Sequence, residues 1–233
     1  MVGRVIHASR GESQFGSEWE GEAGLGEMWP LLALSRGRTP VTLHFGSEVY
    51  GRFSLGDASS SMISSDWHVN LVLTASISRW RLALEGYHES SHLGDEYLER
   101  FPGPRVNWSR EIVGLWVTRS AGQLAMSLNA SYAVIQALDV GPSAVAVGVD
   151  YVGKRGSVVG GGSAQAVLAL HADMQEYTDW EMTLAGRAGV RFSDPGRRRG
   201  FALFLTYLDG MSPQRQFFLE KSRYLGVEVR FDL

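Results

Sequence analysis

The last ten residues, YLGVEVRFDL (224–233), decide the fold. Leu225, Val227, Val229, Phe231 and Leu233 form one set, and Gly226, Glu228, Arg230 and Asp232 form the other. A period of two puts these sets on opposite faces of an extended strand. The pattern recurs upstream. Leu124, Met126, Leu128, Ala130, Tyr132 and Val134 alternate with Gln123, Ser127, Asn129 and Ser131. Met182, Leu184, Gly186, Ala188, Val190 and Phe192 alternate with Glu181, Thr183, Arg187 and Arg191. Val41, Leu43, Phe45, Val49 and Phe53 alternate with Thr42, His44, Glu48, Tyr50 and Arg52, and Trp67 to Ile77 repeats the scheme. No segment carries a helical period.

These segments run to about ten residues or more, against roughly 5–6 for a strand of a soluble protein. A tilted strand needs about 9–11 residues to cross the hydrocarbon core of a bilayer. The polar sets carry charge at mid-strand: Glu48, Glu85, Asp150, Asp173, Arg187 and Glu228. Such groups suit the inside of a closed barrel, where they pair or meet water while the apolar set faces lipid. The expectation is an all-β fold, a closed antiparallel transmembrane β-barrel of about twelve strands with short periplasmic turns and longer extracellular loops. A soluble lipocalin-like barrel or sandwich is the competing architecture.

Strands are expected near 16–25, 28–35, 41–54, 66–77, 80–91, 107–119, 122–135, 143–154, 163–176, 179–192, 199–210 and 222–233, with 1–15 as an N-terminal extension to a barrel of 16–233. Residues 16–35 also read as one long strand kinked at Gly24 and Gly26; the even strand number of bacterial barrels decides for two. The connections at 36–40, Ser78-Arg79, Ala121-Gly122 and 193–198 then fall on the periplasmic side, and those at 55–65, 92–106 and 211–221 outside. RGSVVGGG (155–162) is long for its side. The inward charges include Glu48, Glu85, Asp150, Glu181 and Glu228 with Arg52, Arg81, Arg110, Arg187 and Arg230, a mixture that favours a cross-linked interior over a wide pore. His44, His68 and His171 belong to the same inward faces. Trp19, Trp67, Trp80, Trp108, Trp116 and Trp180 suit an interfacial girdle.

Composition narrows the function. The chain has 233 residues and no cysteine, which removes disulfide scaffolds, thiolate nucleophiles and zinc ribbons. A formal charge of -3 offers no basic face for nucleic acid. The longest apolar run, 28–34, is far short of the ~20 residues of a spanning helix. The opening MVGRVIHASRGESQ has no apolar core followed by a cleavage site, so an exported chain of this sequence reads as a mature or trimmed form. GKRGSVVGGG lacks phosphate-loop spacing, and RRRG (197–200) reads as a solvated turn beside lipid phosphates.

One stretch differs in texture: YHESSHLGDEYLER, residues 87–100. If Arg81, Glu85 and Glu89 point inward, His88 and Ser90 point outward near the extracellular rim. On the next strand Val113, Leu115 and Val117 point outward, and so do Asn107, Ser109 and Glu111. Pairing across the hairpin sets His88 opposite Glu111 and Ser90 opposite Ser109, to within a step or two. A serine hydroxyl becomes a nucleophile beside a base, and the base needs a third group to fix its tautomer. Ser90, His88 and Glu111 or Asn107 can fill those roles; a rim histidine and serine that only hydrogen-bond headgroups is the plainer reading. The rest of the rim motif is Ser91, His92, Asp95 and Glu96. Two loop carboxylates suit a hard cation such as calcium, but salt bridges from Asp95 and Glu96 to Arg100 or Arg105 account for them more simply. No metal centre is otherwise indicated, and no cofactor.

His-x-Ser near the outer rim, followed by Asn or Glu on the next strand, resembles the active-site layout of outer-membrane phospholipase A and of the lipid A deacylases, with Ser91 where those enzymes carry asparagine. That likeness implies hydrolysis of lipid on the outer wall. HESSHLGDEYLER, VNWSRE (106–111) and SPQRQFFLEKSRYLGVEVRF (212–231) together resemble a bacterial envelope family, domain of unknown function family 1207. That resemblance implies a Gram-negative outer-membrane location and no particular activity. Two functions follow as expectations. One is an outer-leaflet lipid esterase acting on phospholipid or lipid A. The other is a non-enzymatic barrel, a narrow channel or a structural envelope protein. Outer-membrane lipid is the expected partner, with a homo-oligomer or an envelope protein as a further one.

Overall fold

The computed structural model describes residues 1–10, 19–36, 39–56, 59–158, 162–194 and 200–232. Alternation along the chain resolves into one continuous antiparallel sheet. Its strands are β1 (Val2–Arg10), β2 (Trp19–Arg36), β3 (Thr39–Ser54), β4 (Met62–Ile77), β5 (Trp80–Leu93), β6 (Trp108–Ala121), β7 (Leu124–Gln136), β8 (Ser143–Val152), the two-residue β9 (Gly156–Ser157), β10 (Ser163–Gln175), β11 (Met182–Ser193), β12 (Gly200–Met211) and β13 (Lys221–Asp232). Each long strand pairs with its neighbours in sequence, and β1 pairs with β13 from Val2↔Arg230 to Ala8↔Tyr224, which closes the barrel. Both ends of the chain therefore lie at the same rim. Closure satisfies the backbone groups that an open edge would leave bare in lipid.

The twelve long strands match the expected number, but the first two are assigned differently. Residues 2–10 are not an extension; they form β1, held by β13 on one side and β2 on the other. Its pattern is hidden because the inward face mixes Arg4 with the fully buried Ile6, while the outward face is carried by Gly3 and Val5. Residues 19–36, in turn, are a single strand, with a bulge between Pro30 and Leu32 rather than a turn. Gly24 makes room for a side chain inside the barrel: a Cβ there would come within 2.7 Å of the Tyr50 ring.

The outward wall is apolar, with Leu71, Leu84, Val113, Leu115, Leu128, Leu168, Leu205 and Val227 all exposed. Trp19, Trp67, Trp80 and Trp180 are exposed on the outside, as a girdle requires. Trp108 and Trp116 do not belong to it. Trp108 is buried in the lumen, and Trp116 donates its Nε1 hydrogen to Glu85 at 3.3 Å. Both sit on the inward parity of β6, where a ring with one N–H donor can meet a carboxylate.

The interior is cross-linked. Arg4 bridges Glu228 at 2.6 Å and Glu22 at 3.2 Å, Arg52 reaches Glu20 at 3.1 Å and Glu22 at 3.4 Å, and Arg230 reaches Glu228 at 3.2 Å. Glu181 is not among these inward groups; it stands exposed at the outer end, 2.6 Å from Lys221. Cavities of about 370 Å³ and about 150 Å³ share the Trp116 and His171 rings as a common wall. A wider mouth of about 890 Å³ opens at the rim of the chain ends, beside Glu48, Tyr50 and Arg230.

The turns at the chain-end rim are tight: Ser78 at φ 57° and Gly122 at φ 65° take the left-handed geometry of short hairpins. The long connection after β8 is partly accounted for by β9, which extends the pairing of β10 at Ser163↔Ser157. Residues 197–199 of the basic turn and 159–161 of the glycine-rich loop lie outside the described residues. At the opposite rim, the connection expected to be irregular contains a helix, α1 (Asp95–Arg100), too short for a period to reveal. It docks through Tyr97 onto Ile63 and Phe217, flanked by Leu93 and Phe101. Gly94 admits this docking, since its N–H meets the Ile63 carbonyl at 2.9 Å and a Cβ would collide with the Met62 carbonyl oxygen.

Candidate active site on the outer wall

β5 and β6 pair with the register counted from the sequence. His88 lies opposite Glu111 and Ser90 opposite Ser109, the ladder ending at Ser91↔Trp108. On the other side, His88 faces Val69 and Ser90 faces Trp67 of β4. Alternation sends Leu84, Gly86, His88, Ser90 and His92 outward and Glu85, Tyr87, Glu89 and Ser91 inward.

His88 Nδ1 is 2.8 Å from Glu111 Oε1, with the two side chains 40% and 46% exposed. A proton on Nδ1 donated to this carboxylate leaves the Nε2 lone pair free to accept another. Ser90 stands two residues along the same face, about 7 Å up the strand. Its hydroxyl makes no side-chain hydrogen bond among the described residues. The candidate base and its candidate orienter are thus in contact. Asn107, the other candidate orienter, precedes the first residue of β6 and is exposed, with no described hydrogen bond to His88.

The level of the site in the wall is also defined. Below it, Gly86 lies between Leu71 and Val113, and Leu84 between Leu73 and Leu115. Above it, His92 lies opposite Ser65, whose hydroxyl accepts the Trp67 Nε1 hydrogen at 3.2 Å. The polar stretch of this wall therefore begins at His88 and Glu111 and continues through Ser90 and Ser109 toward the rim.

The remaining rim residues separate. Ser91 turns inward, is buried, and donates its hydroxyl hydrogen to Asp66. Asp95 and Glu96 form the first turn of α1 and are exposed; Arg105 approaches Asp95 at 4.0 Å, a pair worth little in water. Among the described residues no three His, Asp or Glu side chains converge as a metal site would require.

A second set lies behind the wall, drawn mainly from the three stretches quoted for the family resemblance, whose residues sequence reading gave no shared role. Glu89, 1% exposed, accepts hydrogens from Trp108 Nε1 at 2.6 Å and Arg215 Nε at 3.0 Å, with His68 Nε2 at 3.2 Å. Arg215 comes from the short turn Arg215–Phe217 between β12 and β13 and also reaches the Tyr177 hydroxyl at 3.1 Å. Burial alone would weaken the Arg215 charge. The Glu89 carboxylate, with Tyr177 and Asp66 beyond it, outweighs this and holds its pKa well above the ordinary arginine value.

A closed barrel with an apolar outside, a charged lumen and loops gathered at the rim away from the chain ends has the architecture of a bacterial outer-membrane barrel. The family model described as Protein of unknown function (DUF1207) matches residues 7–233, and the chain belongs to that family. Solved structures agree on the architecture. Outer membrane phospholipase A from Escherichia coli superposes with a TM-score of 0.65 at 14% identity, over 99% of this chain and 90% of that one. The calcium-bound dimer of the Salmonella typhi outer membrane phospholipase gives 0.64 at 15% over the same shares. The KdgM porin gives 0.50 at 8%, over 99% of this chain and 98% of that one. At such identities the likeness is one of fold. No curated protein matches the sequence.

Proposed function

We propose that this barrel is a serine-dependent lipid esterase of the outer leaflet, acting on phospholipid or lipid A. The observation that carries the reading is the 2.8 Å contact between His88 Nδ1 and Glu111 Oε1 on the lipid-facing side of the β5–β6 pair, with Ser90 on the same face. Polar groups facing lipid are costly and commonly functional.

The chemistry follows from these roles. Ser90 Oγ attacks the carbonyl carbon of an ester at the polar boundary while His88 Nε2 takes the hydroxyl proton. Glu111 stabilises the imidazolium so formed and fixes its orientation. The tetrahedral intermediate collapses, the C–O bond to the glycerol or sugar breaks, and His88 returns the proton to the departing oxygen. Water, deprotonated by His88 in the second half-reaction, releases the fatty acid and restores Ser90. The likeness to outer membrane phospholipase A is consistent with this reading, as is the position of Ser90 toward the outer end of the apolar wall. The dimer seen for the Salmonella protein makes a homo-oligomer the corresponding expectation here, and its calcium is reason to supply calcium in any assay.

The test is direct. Folded protein in detergent, with calcium, is expected to react with a fluorophosphonate at Ser90 and to release fatty acid from phospholipid or lipid A, both activities disappearing in Ser90→Ala. Turnover that survives this substitution, or none in the wild type, removes the esterase reading. A conductance in planar bilayers that Ser90→Ala leaves intact would favour a channel instead.

A further inference from the structure

The strand segment that carries His88 and Ser90 outward is gripped from the inside at each alternate residue, and the grip comes from a loop far away in the chain. Glu89 lies between the two proposed catalytic residues and holds Arg215, Trp108 and His68 in the lumen. Ser91, the next inward residue, is fixed by two contacts. Its hydroxyl bonds Asp66, and its carbonyl accepts the Gln216 Nε2 hydrogen at 2.8 Å.

Gln216 does more than hold one strand. Its Nε2 also donates to the Val106 carbonyl at 2.9 Å, and its Oε1 accepts the Val106 N–H at 3.3 Å. Val106 belongs to the segment entering β6, the strand that bears Glu111. The backbone ladder between β5 and β6 stops at Ser91↔Trp108, so the Gln216 amide links the two strands at the point where the ladder ends. Gln214 adds a third contact from the same loop, accepting the Ser64 hydroxyl hydrogen on β4. Gln214 and Gln216 are both buried, and Arg215 lies over the Trp108 ring, 5.7 Å from its centre.

We propose that Arg215 and Gln216 are positioning residues for the outer-wall site: from within the lumen they set the relative placement of the segment bearing His88 and Ser90 and the strand bearing Glu111. The inference rests on the esterase reading above. Its physical basis is that residues 88 to 91 share consecutive peptide planes, so a shift of Glu89 or Ser91 inside moves His88 and Ser90 outside. A displacement of about 1 Å suffices to cost on the order of 100-fold in rate.

The test uses the full chain folded in detergent micelles, with dioleoylphosphatidylcholine mixed micelles as substrate. Gln216→Ala, Arg215→Ala, Arg215→Lys and the control Leu219→Ala, an exposed residue of the same loop, are compared with the wild type. Gln216→Ala and Arg215→Ala are expected to lower kcat and the fluorophosphonate labelling rate by about 10–100-fold with KM unchanged. Arg215→Lys, which keeps a cation against Glu89, recovers part of the loss, and Leu219→Ala behaves as wild type. Because Arg215→Ala leaves a buried carboxylate without its main partner and can fail to fold, Gln216→Ala is the deciding variant. Amide hydrogen exchange in that variant is expected to rise at residues 88–92 and 106–111 and nowhere else. A folded Gln216→Ala with wild-type kcat and exchange overturns the positioning role while leaving the site intact. A wild type with neither turnover nor labelling overturns the site itself, and the positioning role with it.

Discussion

The two faces of the β5–β6 hairpin at its outer end are built from adjacent residues and obey opposite rules. Inside, Glu89, Ser91, Trp108 and Arg110 are buried, and every carboxylate oxygen of Glu89 has a donor. Outside, His88, Ser90 and Glu111 are only partly covered, and a single contact joins two of them. A charge buried in a barrel lumen is ordinary so long as it is paired, and removing its partner is then costly. The pair outside is a single contact between half-exposed groups, yet it interrupts a largely apolar outer wall. The inner polar residues are explained by holding the molecule together. The outer ones are not, and that asymmetry is the argument for function.

The comparison can be broken or sharpened in four ways. The largest effect is expected from deleting residues 1–10, which removes β1 and with it both faces: β2 and β13 lose their shared partner, and the heat-modifiable folded band should vanish from cold gel electrophoresis. A fully folded barrel from the shortened chain would show that closure does not run through β1. Next, Glu111→Ala should lower kcat by about 10²–10⁴-fold, the range for losing the group that orients a catalytic histidine. Its unfolding free energy should stay within about 0.5 kcal/mol of wild type, as read by urea unfolding in liposomes. On the inner face the outcomes exchange places. Glu89→Ala, by stranding Arg215, should cost about 3–5 kcal/mol of stability in the same unfolding measurement. A neutral result there would mean that the lumen network is not what holds this rim. The smallest effect is expected from Asn107→Ala, which should leave turnover and stability at wild-type levels; a marked loss of rate would move the orienting role from Glu111 to Asn107.

Much of this was legible in the sequence. Alternation of apolar and polar residues over long segments defines the barrel, since side chains on a strand must take opposite sides. The same parity placed His88, Ser90 and Glu111 on the outer wall and set His88 against Glu111 by counting from the hairpin. The differences between pattern and structure have particular causes. β1 is hard to read because the buried Ile6 faces inward and, among the described side chains, Gly3 and Val5 give the outward face little apolar contrast. Residues 19–36 read as two strands because glycines that make room for lumen side chains resemble turn glycines. Trp108 suits a girdle by residue type, but the parity of its own strand points it inward, where it is buried.

Local pattern, then, settled which side of the wall each residue takes, because that depends only on the geometry of one extended chain and on the contrast between lipid and lumen. Which residues meet across the lumen was decided by closure of the barrel. Arg215 and Gln216 are more than a hundred positions from Glu89 and Ser91, and no periodicity relates them. Only the folding of the β12–β13 connection into the mouth of the barrel brings that loop behind the strand it secures.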